Sequence, residues 1–103
     1  MIPLRLIAAS TLAAYAAQNP GATAALANWR QTVKVADWKS MGDVTAGAST
    51  AKVLNSERVR FEVAGGKFRL IASINFRLGI VFVKFIGTHQ EYDRIDALTV
   101  SQF

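Results

Sequence analysis

Hydrophobic and polar positions change period once along the chain. The change divides a helical first half from a strand-forming second half. Leu4, Ile7, Ala8, Leu12 and Tyr15 suit one face of an amphipathic helix. The spacing predicts a short strand over Pro3–Ile7, then a helix from about Ser10 to Gln18, with Ser10 or Thr11 as N-cap. Asn19-Pro20-Gly21 stops it, because Pro20 disfavours the helical conformation at Asn19. A second helix is predicted from Ala22 to about Ala36, burying Ala25, Leu26, Trp29 and Val33. Arg30 and Lys34 sit on its flank and read as a solvated face. Asp37–Asp43 reads as irregular, with Trp38 plugging the edge of the core. Val44–Asn55 reads as a connecting segment, with room for one helical turn at Thr50–Val53.

From Arg58 the period becomes two. Val59, Phe61 and Val63 alternate with Arg58, Arg60 and Glu62, the pattern of a half-buried strand with a charged face. Ala64-Gly65-Gly66 is a hairpin turn. In the next predicted strand, Lys67–Asn75, Phe68, Leu70, Ala72 and Ile74 share one face. Lys67, Arg69, Ile71 and Ser73 share the other. Phe76–Gly79 turns the chain again. Ile80–Ile86 is apolar on both faces except at Lys84, as suits a central strand. Thr88 with Glu91 three residues on forms a capping-box pattern for a short terminal helix. The expected fold is α+β, with N-terminal helices packed on one face of a small antiparallel sheet and a short C-terminal helix.

Composition narrows the function classes. With 103 residues, a single domain over 1–103 is expected. Half the chain is hydrophobic (51%), enough for a core without disulfides, and there is no cysteine. That removes thiol chemistry and, with a single histidine, argues against a transition-metal site. The first eighteen residues resemble a short signal peptide, but one charge and the Ser10-Thr11 break favour mature structure in a cytoplasmic protein. No stretch approaches the ~20 apolar residues of a membrane span. The formal net charge of +5 invites a polyanionic partner, although a soluble domain can be basic without one.

No Gly-x-Gly-x-x-Gly or Walker pattern is present, and Gly65-Gly66-Lys67 lacks the following helix that phosphate cradling needs. Nothing marks a nucleophile elbow. What remains is a cationic cluster: Arg58 and Arg60 on one predicted strand, Lys67 and Arg69 on the next, Arg77 at the turn and Lys84 on the third. His89 and Tyr92 follow it. Alternation puts Arg58, Arg60, Lys67 and Arg69 on one face, where Glu62 offsets part of their repulsion and a phosphate backbone would offset the rest. RNA cleavage needs the 2′-hydroxyl deprotonated, the phosphorane charge stabilised and the 5′-oxygen protonated. Cations serve the charge, His and Tyr can move protons, and an aromatic ring can stack a base; no metal or other cofactor is required. Each residue also has a structural reading: a strand-end histidine, a core tyrosine, a solubilising basic face.

Three stretches resemble a known family. Val59-Arg60-Phe61-Glu62-Val63, Gly65-Gly66-Lys67-Phe68-Arg69-Leu70-Ile71 and Phe85-Ile86-Gly87-Thr88-His89-Gln90-Glu91-Tyr92-Asp93-Arg94-Ile95-Asp96 resemble the HigB-type toxins of the RelE-like superfamily. Lys34-Val35-Ala36-Asp37-Trp38 resembles the family's helix-ending segment. The likeness runs from about Trp29 to Asp96, and Gly-Thr-His-x-Glu-Tyr-Asp is its most specific part. Members often carry Gly-Gly-Asn-Lys-Tyr-Arg-Leu; this chain is one residue shorter there and has Phe68 in place of the tyrosine. The resemblance implies a RelE-like fold and the toxin of a type II toxin–antitoxin module. It implies an mRNA interferase that acts with the ribosome on mRNA and is neutralised by a helix-turn-helix antitoxin. It also implies that Arg69, His89 and Tyr92 carry the chemistry; Lys67, read from its place in the cationic cluster, is expected to join Arg69 in stabilising the scissile phosphate. Lys84 would assist at the phosphate, Arg58, Arg60 and Arg77 would hold RNA backbone, and Asp93 would orient His89 or cap locally. Two other outcomes stay open within the superfamily: a binding poison, for example of DNA gyrase, and a degenerate member that only binds antitoxin.

Overall fold

The computed structural model describes residues 5–7 and 9–102. Its elements are β1 (Arg5–Ile7), α1 (Ala9–Gln18), a 3₁₀ turn (Pro20–Ala22), α2 (Thr23–Val35), α3 (Met41–Gly47), β2 (Lys52–Val53), β3 (Arg58–Val63), β4 (Phe68–Asn75), β5 (Ile80–Thr88) and α4 (His89–Tyr92). The five strands form one sheet in the order β1-β5-β4-β3-β2. The architecture is α+β, as expected.

Three details differ from the sequence reading. The sheet is mixed, not purely antiparallel, because β1 pairs parallel to β5, with Leu6 opposite Val81. Parallel neighbours need a long crossover, and all the elements between β1 and β5 supply it. Residues 41–47 are helical rather than irregular. Ser40 Oγ accepts from the Asp43 amide (3.3 Å) while Asp43 Oδ2 accepts from the Lys39 amide (2.9 Å). This is a capping arrangement that outweighs the glycines inside the short helix. Residues 52–53 form an edge strand on β3 instead of a helical turn. In addition, α1 starts at Ala9, ahead of the expected cap; Pro3, Leu4, Ala8 and the Ser10 side chain lie outside the described residues.

The main core lies between the helices and the sheet face made by Val59, Phe61, Val63, Leu70, Ala72, Ile74, Val81, Val83 and Ile86. Phe61 stands at its centre. Trp29 of α2 meets its ring edge-on at 5.4 Å, and Trp38 stacks on it at 6.1 Å. Side-chain turns set the hairpin ends. Asn55 Oδ1 accepts from the amides of Glu57 and Arg58, and Asn75 Oδ1 accepts from that of Leu78. Ala64, Gly65 and Gly66 all have positive φ, so the β3–β4 turn needs the permissive backbone of its two glycines.

The opposite sheet face is not open along its whole length. The register between β4 and β5 shifts at Ile71/Ala72, so that Ile71 faces Phe85 and Ala72 faces Val83, leaving Lys84 as the extra residue of a β-bulge. Beyond it, the C-terminal segment crosses the sheet. Arg58 Nη1 donates to the carbonyls of Ala97 (3.1 Å) and Val100 (2.7 Å). At the far side, the Gln102 amide donates to the Lys84 carbonyl (2.8 Å), and Gln102 Oε1 accepts from the Ile86 amide (2.9 Å). Between these anchors Ile71 and Phe85 are buried on a face that no long helix covers.

Arg58→Ala releases two charge-assisted hydrogen bonds and should cost about 1.5–3 kcal/mol in urea unfolding, with faster hydrogen exchange at the Gln102 amide. The Tyr15 hydroxyl is buried without a partner. Its pKa lies above the ordinary value of 10, first because burial disfavours the phenolate and second because Glu91 repels it. A raised pKa favours the protonated folded state, so this contribution is complete below the ordinary tyrosine value. It is lost as pH rises through the folded value. Tyr15→Phe should change neutral-pH stability by no more than about 1 kcal/mol and flatten the alkaline fall in unfolding free energy measured upward from about pH 9.

Candidate RNA-cleaving site

Strand alternation and one short helix assemble the site at the end of the sheet where β3 finishes, β4 begins and β5 ends. Arg60 and Glu62 project from β3 to the face away from α1 and α2. Cross-strand pairing sets Glu62 opposite Arg69, and Arg69 opposite Gly87. Gly87 presents no side chain there. A Cβ at that position would lie 2.6 Å from Cζ of Phe85, so glycine lets the Phe85 ring fold along the sheet beneath α4.

The capping box predicted for Thr88 turns the chain back over this face. Thr88 Oγ1 accepts from the Glu91 amide (3.1 Å), and Glu91 Oε1 accepts from the Thr88 amide (2.8 Å). One turn later the Tyr92 ring lands on the sheet. It meets Phe85 at 6.3 Å and has the guanidinium carbons of Arg60 and Arg69 at 5.5 and 5.6 Å from its centroid. Both guanidiniums are thus held against one aromatic face, a cation–π arrangement favoured by partial desolvation. Glu62 Oε1 is 3.5 Å from Arg69 Nη2 and 3.8 Å from Arg60 Nη2. Nε of each arginine is buried with no hydrogen-bond partner. Leaving such a donor unpaired costs about 1–3 kcal/mol, a local expense more typical of a ligand seat than of a core.

His89 stands beside this cluster. Its amide donates to the Lys67 carbonyl (3.1 Å), joining the start of α4 to the β3–β4 turn. Its Nδ1 lies 3.3 Å from Asp93 Oδ2, and both side chains are exposed. A proton on Nδ1 directed at that carboxylate leaves Nε2 free as an acceptor facing solvent.

Of the eight residues singled out from the sequence, Lys67, Arg69, His89, Tyr92 and Arg60 share this end of the sheet. Arg60 matches Arg69 in its relation to Tyr92 and Glu62. Three lie elsewhere. Arg58 is engaged with the C-terminal carbonyls. Lys84 sits at the bulge with Nζ 5.5 Å over the Phe82 ring. Arg77 occupies the β4–β5 turn, at the other end of a strand that spans about 26 Å by its length. The reading by residue type missed Phe85 and Gly87 as supports of Tyr92. Their signal was the facing register of β4 and β5, which the bulge conceals.

Among the described residues, no group of three or more His, Cys, Asp or Glu side chains converges as metal ligands. None of the described helices is long and apolar enough to cross a membrane. No curated protein sequence gives a significant match to the chain. Residues 22–95 match the family model HigB_toxin, described as the RelE-like toxic component of a toxin–antitoxin system. The match takes in α2 through α4 and every residue of the Arg60–Arg69–Tyr92–His89 group. The fold is accordingly RelE-like, and the protein's partner is an antitoxin. The chain belongs to the HigB toxin family, the RelE-like toxic component of toxin–antitoxin systems.

Proposed function

We propose that this toxin is a metal-independent endoribonuclease, an mRNA interferase that cuts mRNA on the ribosome. On this reading it acts as one domain in the cytoplasm and is held in check by a helix-turn-helix antitoxin. The observation that carries the reading is the pair of guanidiniums, Arg60 and Arg69, both held against the Tyr92 ring with two buried unpaired donors and His89 at the edge. It supports a site for a dispersed anion next to a stacking surface and a proton acceptor.

In the proposed reaction the RNA 2′-oxygen gives its proton to His89 Nε2 and attacks phosphorus. The bond from phosphorus to the 5′-oxygen breaks, leaving a 2′,3′-cyclic phosphate and a 5′-oxyanion that takes a proton from water to become the 5′-hydroxyl. Arg69, with Arg60 and Lys67, stabilises the charge that grows on the phosphoryl oxygens. Asp93 keeps the His89 proton on Nδ1. Tyr92 orients both guanidiniums and offers its ring to a splayed base. Lys84 and Arg77, farther along the same protein, are assigned to the ribosomal or RNA backbone, where they add salt-dependent attraction.

Arg69→Ala should slow cleavage by about 10²–10³, and the Arg69→Ala/His89→Ala pair should abolish growth arrest on expression without antitoxin, with an unchanged circular dichroism spectrum. Full toxicity of that double variant rules out this assignment of roles. Mapping transcript 5′ ends shortly after induction checks the activity itself. New ends inside translated reading frames are expected; a DNA damage response with intact transcripts identifies a binding poison, and an inert phenotype a chain that only binds antitoxin. Tyr92→Phe should keep more than about a tenth of the activity, since the ring and its cation–π contacts remain. Tyr92→Ala should lose about as much as Arg69→Ala, because both guanidiniums lose their platform; the comparison is read from single-turnover rates.

A further inference from the structure

Glu62 is the only carboxylate within ion-pair distance of Arg60 or Arg69 among the described residues. It stands where strand alternation would otherwise set a third outward residue beside two cations. Its contacts are unusual for a structural salt bridge. One oxygen, Oε1, is shared between single nitrogens of the two guanidiniums at 3.5 and 3.8 Å. A fixed arginine–carboxylate pair is bidentate at about 2.7–2.9 Å. The other oxygen, Oε2, faces the β3–β4 turn, 3.8 Å from where a Cβ on Gly66 would lie. Glu62 is also the most exposed of the three side chains, at 36% against 17% and 12% for Arg60 and Arg69. The arginines are therefore the more covered groups and are held against Tyr92, while the anion between them is loosely held and within reach of water.

We propose that the Glu62 carboxylate occupies an anion seat between Arg60 and Arg69 in the free protein, and that a phosphate group takes over that seat on binding. The identification of the phosphate as RNA backbone rests on the function proposed above; the seat itself rests on the geometry. A phosphate offers more acceptor oxygens than one shared carboxylate oxygen, so it can reach donors that Glu62 leaves unused. Displaced, Glu62 swings to solvent past Gly66, regaining hydration that offsets its lost contacts. The residue thereby lowers affinity for phosphate while holding two like charges together when no ligand is present.

The test is a titration of the full chain and its Glu62→Gln variant with inorganic phosphate, and separately with a single-stranded RNA oligonucleotide. The Nε–H signals of Arg60 and Arg69 are followed by ¹⁵N NMR. The variant is expected to bind phosphate roughly tenfold more tightly. Its RNA affinity should rise similarly, with a log–log salt slope steeper by about 0.7, the increment for one more phosphate neutralised on a single strand. In the unmodified protein, phosphate should move the Glu62 carboxyl ¹³C signal together with both arginine signals. If Glu62→Gln folds poorly, Glu62→Asp withdraws the carboxylate by one methylene and should tighten phosphate binding by a smaller factor. Phosphate binding that is unchanged or weaker in a folded variant overturns the proposal, as does a Glu62 signal that stays still while the arginine signals move. Tighter phosphate binding without any RNA binding upholds the seat and removes the RNA reading instead.

Discussion

Phe61 held between Trp29 and Trp38 is the contact on which the rest of the structure depends. It ties α2 and the segment after it to β3, and it does so at one register only. A slip of one residue would exchange Phe61 for Arg60 at the helix-packed face and send every side chain of β3 to the wrong side. Because β3 is paired residue by residue to β4, and β4 to β5, that single apolar junction also fixes where Arg60, Glu62 and Arg69 emerge. The core and the candidate site are two faces of the same alternation.

The face opposite the helices illustrates how a small sheet can be half covered and still present a site. One part is closed by the C-terminal segment, which Arg58 and the Lys84 and Ile86 backbone hold across Ile71 and Phe85. The other part is roofed only by α4, a single turn whose stability comes from its capping box and from the edge-on contact of Tyr92 with Phe85. Arginines at neighbouring positions of one strand therefore have different tasks. Arg58 satisfies main-chain carbonyls. Arg60, two residues on, faces Tyr92 and keeps an unpaired Nε. The difference is one of position beneath the tail, since the residue type and spacing are the same.

Two half-buried guanidiniums sharing one carboxylate would be a poor device for stability alone. Their mutual repulsion is only partly offset, and both Nε donors lack partners. The aromatic ring of Tyr92 reduces that cost by giving each cation a polarisable surface. The rest of the imbalance is what a bound anion would relieve, which is the physical basis of the RNA site proposed above.

Much of this protein was legible in the amino-acid order. The change of period at Arg58, the apolar stripe of α2, the Thr88-x-x-Glu91 box and the outward row of basic residues are local signals, set within a few residues by backbone geometry and burial. Ser40-x-x-Asp43 was also a local capping signal, but the glycines within seven residues masked it, and two residues of edge strand are too few to show a period. Other features depended on contacts between distant segments. The parallel pairing of β1 and the tail bound by Arg58 join residues tens of positions apart, the bulge at Lys84 is a mismatch between two neighbouring strands, and no periodicity within one segment encodes any of them. The same holds for the division of the cations. Alternation is a property of a single strand, so the order of residues is enough to line one sheet face with basic side chains. Which of them meet Tyr92 and Glu62 is set by tertiary contacts, because it depends on which segments cross the face and what each covers.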